Sequence, residues 1–150
     1  MAKYRWKIVG IVLAVVAYLV LLGYIDSIQS DYDVNIITEK EIYEFSVNEA
    51  EYIIPVTIEN DSNRMLSSIT GQDVFLTYHV YDMSGNLLTE QNARSTFSKG
   101  IFAKEKGEAE LHITPLEQGE YIIGIDIVHE NVAWFSQKAD VEKKIQIVIK

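Results

Sequence analysis

The chain has 150 residues, 13 Lys+Arg against 22 Asp+Glu, and a formal net charge of −9. Lys3, Arg5 and Lys7 carry all the charge before Asp26, and from there to Lys150 ten basic residues face 22 acidic ones, a balance of −12. A basic head, an uncharged run and an acidic body exclude a plain cytosolic globule. They also argue against nucleic-acid binding, which needs a basic face to neutralise phosphates.

Residues 1–7 read as a cytoplasmic basic tail. Ile8 to Ile25, IVGIVLAVVAYLVLLGYI, is an 18-residue run without a charge. As a helix it would span roughly 27 Å, close to the hydrocarbon thickness of a bilayer. Tyr4, Trp6 and Tyr24 stand near its ends, where amphipathic rings favour the interface. The apolar core is longer than that of a cleaved signal peptide, and Leu22-Gly23-Tyr24-Ile25-Asp26 offers no A-x-A-like pair. The expectation is an uncleaved single-pass signal anchor. Positive charge before it and Asp26, Asp31 and Asp33 after it place the N-terminus in the cytoplasm and the body outside. With no cysteine there are no disulfides and no lipoprotein processing. Ile outnumbers Leu by 20 to 10 and Lys outnumbers Arg by 10 to 3, which points to an AT-rich prokaryotic genome.

After a linker at 26–31, residues 32–150 change period from 3.6 to 2. Ile54/Val56/Ile58, Val74/Leu76/Tyr78/Val80, Leu111/Ile113, Tyr121/Ile123/Ile125/Ile127 and Ile145/Ile147/Ile149 each alternate with other residues, as half-buried strands do. Weaker strands are expected at Tyr32–Ile37, Ile42–Val47 and Asn86–Gln91. Turns fall at Asn60-Asp61-Ser62-Asn63, at Met83-Ser84-Gly85-Asn86, and between Pro115 and Gly119. Ser98–Glu108 reads as a solvated loop. Seven to nine strands with no helical pattern after Ile25 predict an all-β, antiparallel immunoglobulin-like β-sandwich, with Gly119-Glu120-Tyr121 as its tyrosine corner.

The residues also carry a resemblance. Val56-Thr57-Ile58-Glu59-Asn60 followed by Ser62 fits a V-x-V-x-N-x-S strand exit. Leu76 to Asp82 with Gly85-Asn86 resembles an L-x-Y-x-W-x-D-x-x-G hairpin, and Arg94-Ser95-Thr96-Phe97 stands where that pattern has an R-T pair. Gly119-Glu120-Tyr121, Asp126-Ile127-Val128-His129-Glu130 and Val132-Ala133-Trp134-Phe135-Ser136 resemble P-G-x-Y, D-L-V-x-E and V-x-W-F-S. Together, from about Ile53 to Ser136, they resemble an immunoglobulin-like module that recurs in prokaryotic cell-envelope glycan biosynthesis and export proteins. Together with the anchor, the acidic body and the lack of catalytic motifs, the resemblance implies a non-catalytic role. The module would bind envelope polysaccharide or dock on a membrane-embedded glycosyltransferase or exporter. Two departures are Met65-Leu66, where the family has Trp, and Lys104-Glu105-Lys106-Gly107, where it has Pro-Gly.

The chain holds no G-x-S-x-G, no Gly-rich phosphate loop, no H-E-x-x-H and no cofactor motif. His79 and His129 lie on runs that would pair, near Asp126 and Glu130, but the i, i+2 or i, i+4 spacing of metal ligands is missing, so no metal site is expected. Glu49, Glu51, Glu59, Asp61 and Asp73 read as a solubilising surface. Trp134 and Phe135 are adjacent, so one faces the core and the other outward. An outward Trp134 beside Glu130, Asn131 and Arg94 would suit a glycan, with the ring against sugar C–H faces and the polar groups on hydroxyls. The other reading of the same residues is a structural lock, with Trp134 packed on the sheet and Arg94 paired with Glu130 or Asp126. A further alternative is a small accessory subunit of a membrane complex, acting by protein–protein contacts alone, for which Gly10 and Ala14 give a small-xxx-small pair.

Overall fold

A computed structural model describes residues 11–21, 31–69, 73–89 and 93–150. Among the described residues nine strands follow in order: β1 Val34–Thr38, β2 Ile42–Phe45, β3 Tyr52–Asn60, β4 Val74–Tyr81, β5 Leu87–Thr89, β6 Glu105–Ile113, β7 Gly119–His129, β8 Ala133–Trp134 and β9 Lys143–Ile149. They form two sheets, β1-β3-β6 and β2-β9-β7-β4-β5, with β8 added to β7. This is a β-sandwich with the strand order of an immunoglobulin-like domain: one three-stranded sheet faces another that centres on β7 and β4.

The alternation read from the sequence is the alternation of burial. Ile54, Ile58, Leu76, Tyr78, Leu111, Ile113, Ile123, Ile125 and Ile127 are fully buried between the sheets. Phe45 stacks on Tyr52 at 4.8 Å and Tyr32 meets Phe135 edge-on at 4.9 Å, closing the two ends of this core. Pro55 sits inside β3 without cost because β1 stops opposite Val56, leaving β3 with a neighbour on one side only. The tyrosine corner forms as expected, with the Tyr121 hydroxyl donating to the Glu117 carbonyl at 3.2 Å. A Cβ on Gly119 would stand 3.3 Å from that ring.

Two expectations change. The larger sheet is mixed rather than antiparallel throughout, because the chain switches sheets after Thr38 and β2 runs parallel to β9. Glu105–Glu108 is strand, not loop: these polar residues pair with Thr57–Asn60 of β3, and the partner supplies what the local sequence does not signal. β8 and the 3-10 turn Phe135–Gln137 are too short to show a period. Of the expected span 8–25, residues 11–21 are helical with exposed side chains, and 8–10 and 22–25 lie outside the described residues. Among the described residues no helix is long and apolar enough to cross a membrane.

Candidate functional site

Val74, Leu76, Tyr78 and Val80 of β4 point inward, so Phe75, Thr77, His79 and Tyr81 point to the outer face of the larger sheet. An outer face is normally solvated, yet Thr77 is fully buried and His79 is 8% exposed. The chain after β7 covers them. β4 occupies one side of β7 up to His129, so β8, which pairs with Val128 and His129, lies on the other side, beyond the end of β9. Opposite Val128, Trp134 lies on the outer face, half-buried, while Phe135 turns fully into the core.

Three of the four expected contact residues meet there. The Trp134 ring centroid is 4.7 Å from that of His79, and the Arg94 guanidinium stands 5.0 Å over the Trp134 ring. Arg94 Nε donates to Glu130 at 2.5 Å, and its Nη1 donates to Thr77 Oγ1 at 2.9 Å. The ion pair and the stacking are therefore built together. Asn131 is exposed and has φ of +59°, a left-handed turn position that asparagine tolerates well, so its backbone role is set by the β7–β8 turn.

Beneath this patch lies Asp126, fully buried. Its Oδ1 accepts from the Ile127 and Ser136 amides at 2.7 and 3.2 Å, and its Oδ2 accepts from Ser136 Oγ at 2.6 Å, with His79 Nε2 at 3.5 Å. Serine, histidine and acid are thus close, but the serine bonds the carboxylate rather than the imidazole. That wiring orients the 3-10 turn and activates no nucleophile. His79 Nδ1 is buried and makes no hydrogen bond among the described residues.

The patch continues past the residues expected from the sequence. The Tyr81 hydroxyl donates to Glu142 Oε1 at 2.6 Å, and Lys144 stands 4.7 Å over the Tyr81 ring and 3.4 Å from Glu142 Oε2. Glu142 can lie there because residue 124 is glycine: a Cβ would come within 2.1 Å of Glu142 Oε1. The sequence signal was Gly124 itself, since a glycine inside a strand marks a close approach. The outer face thus carries an aromatic row, Trp134, His79 and Tyr81, with an ion pair at each end.

His79 and His129 do not approach each other. His79 pairs with Gly124 and His129 with Val74, five residues along the ladder or about 17 Å. His129 instead stands 3.3 Å from Arg64 Nη1, at the end of the sandwich. His112 lies on the other sheet beside Glu51 at 3.0 Å. Among the described residues no group of three or more His, Asp or Glu could hold a metal ion. The outer face of the smaller sheet carries an open groove of about 560 Å³, lined by Ile37, Pro55, Thr57, Glu108, Glu110 and His112 among others.

No protein-family model and no curated protein sequence matches the chain. Solved structures similar to it include the CARDB domain of the PF1109 protein from Pyrococcus furiosus, a complex with di-metal ions. It is 15% identical with a TM-score of 0.46, over 79% of this chain and 88% of that one. CopC from Methylosinus trichosporium OB3b is 10% identical with a TM-score of 0.42, over 79% and 94%. The periplasmic chaperone SfaE is 10% identical with a TM-score of 0.38, over 79% and 56%. Likeness this distant carries no argument about ligand or activity, and the fold assignment rests on the sheets of this chain.

Proposed function

We propose that the protein is a membrane-anchored, extracytoplasmic immunoglobulin-like module that binds cell-envelope polysaccharide through the outer face of its larger sheet. The observation that carries this reading is the row of Trp134, His79 and Tyr81, flanked by Arg94–Glu130 and Glu142–Lys144. Rings offer surfaces for sugar C–H faces, and the flanking charges offer donors and acceptors for hydroxyls. The anchor is supported by the uncharged run 8–25 and by the exposed apolar side chains of helix 11–21, which water would disfavour. The charge split supports an extracytoplasmic body.

Affinity electrophoresis in gels containing the native envelope polysaccharide tests the binding. Retardation of the wild type, weakened about tenfold by Trp134→Ala (about 1.4 kcal/mol) and unchanged by Ile53→Ala on the opposite sheet, is the expected result. No retardation of the wild type would count against it.

A second reading, docking on a glycan-assembly or export machine, is favoured by edge strand β5. Leu87 and Leu88 there, with Met83 in the preceding turn, are 47%, 53% and 48% exposed. In-membrane crosslinking from position 88 that captures a polytopic protein would support this reading. Its loss with Leu87→Asp, with polysaccharide binding intact, would separate the two.

A further inference from the structure

The end of the sandwich at which the chain enters has a composition of its own. Val34 of β1 lies opposite Asn60, and Asn60 opposite Glu105, so β1 and β6 start where β3 stops. Val74 lies opposite His129, so β4 starts where β7 stops. Arg64 joins the two sheets at this end, reaching His129 and, at 3.1 Å, Asp31. Three connections therefore converge beside the entry point: from β3 to β4, into β6, and from β7 to β8.

Each connection carries one large apolar side chain pushed into solvent. Ile69 is 66% exposed, Phe102 61% and Val132 60%. The described residues beside these side chains are tied down by hydrogen bonds. Asn60 Nδ2 donates to the carbonyls of Ile101 and Phe102, both at 3.1 Å. The Ile69 amide donates to Ser67 Oγ at 3.2 Å, and Phe97 is held to Ser68 Oγ at 2.9 Å. The Val132 amide donates to the His129 carbonyl at 3.0 Å. A scaffold that fixes its backbone yet presents apolar tips is built for an apolar partner.

The tether selects which partner. On the anchored reading, on which this inference rests, six peptide steps join Ile25 to Asp31 and reach at most about 22 Å. That is shorter than strand β3 itself, nine residues or about 30 Å. The entry end is therefore held nearer the bilayer than the opposite end. Lys99 flanks Phe102 with a stem long enough to lie along lipid while its ammonium group reaches phosphate, and on the other side Lys104 Nζ donates to the Asp61 carbonyl. Asp61 and Asp73 lie on the same end, so apolar tips rather than net charge set the contact.

We infer that this end of the sandwich rests on the outer surface of the membrane. Ile69, Phe102 and Val132 enter the interfacial layer and fix the orientation in which the aromatic row of the larger sheet is presented.

The absence of cysteine makes the test direct. Full-length Ile69→Cys, Phe102→Cys and Val132→Cys carry an environment-sensitive fluorophore in vesicles of phosphatidylethanolamine and phosphatidylglycerol. Met83→Cys and Glu117→Cys mark the opposite end. All five positions lie in turns or connections, and far-UV circular dichroism checks that each variant keeps the sheet signal. Co-flotation with vesicles reports the anchor independently. The expected result is blue-shifted emission at positions 69, 102 and 132, quenched by lipids with a nitroxide near the headgroup, and neither effect at 83 or 117. Co-flotation with all five probes equally wet overturns the inference and leaves the anchor standing. Failure to co-float overturns both.

Discussion

Asn60 shows how much one polar side chain can organise. It is 1% exposed and uses its whole amide: Nδ2 donates to the carbonyls of Arg64, Ile101 and Phe102, and Oδ1 accepts from the Ser62 amide and hydroxyl. The N-x-S spacing is therefore a clamp between two loops. Asn60→Ala leaves those buried groups unpaired and lowers stability by about 3 kcal/mol, read as a shift in the urea midpoint. Asn131 has a different job. At φ of +59° an alanine is strained, so Asn131→Ala costs about 1 kcal/mol while Asn131→Gly is nearly neutral in the same assay. A glycine that lost as much as alanine would show that the Asn131 side chain, not its backbone, matters.

At the scale of elements, the hairpin between β4 and β5 is local chemistry. Asp82 accepts from the Ser84 and Asn86 amides at 2.8 and 2.9 Å and from Asn86 Nδ2 at 2.7 Å, and Gly85 takes φ of +84°. These residues are neighbours in sequence, so the turn was legible there. The contact of β7 with the chain before β9 is not local. Gly124→Ala would drive a methyl into Glu142 and the Tyr81 ring, breaking the Tyr81–Glu142 bond. A loss of about 1–3 kcal/mol is expected by thermal or urea unfolding. Unchanged stability would mean that Glu142 moves aside freely. On the other sheet, the Lys106 ammonium, with the Asn35 amide, holds the Glu59 carboxyl below its ordinary value. The folded state then binds that proton more weakly than the unfolded chain. Its stabilising contribution is present above about pH 4.5 and lost as the pH falls below it. Asp82 is lowered too, chiefly by the Asn86 side chain. Urea midpoints followed into acid should fall less steeply in Glu59→Gln than in the wild type, and parallel curves would remove Glu59 from the account.

At the scale of the molecule, the charge split and the attachment point act together. If the head of Lys3, Arg5 and Lys7 sets topology, reversing those three charges should reduce delivery of the acidic body to the outside, read by proteolysis of intact cells. Unchanged protection would assign topology to another signal. On the anchored reading the two ends of the sandwich have different tasks, with the entry end towards the lipid and the sheet faces free for ligands.

The strands from Tyr52 to Asn60, Val74 to Tyr81 and Lys143 to Ile149 were readable because a half-buried strand imposes period two on its own sequence. That Trp134 and Phe135 face opposite ways was readable for the same reason, but which of them enters the core was decided by the pairing of β8 with β7; the tyrosine corner was readable from Gly119-Glu120-Tyr121 at the start of a strand. The polar start of β6, the parallel pairing of β2 with β9, and β8 were not, because each is chosen by a partner strand far away in the chain. The candidate site divides similarly. Arg94, Glu130 and Trp134 were singled out as residue types, but their mutual stacking, the buried Asp126 beneath them, and the extension through His79, Tyr81 and Glu142 depend on register between strands. Sequence alone determined the apolar run, the charge split and the alternation that builds two sheets, because those are one-dimensional patterns read by water and lipid. Only the tertiary structure decided which side chains share a face, because contacts across a ladder are set by pairing and not by distance along the chain.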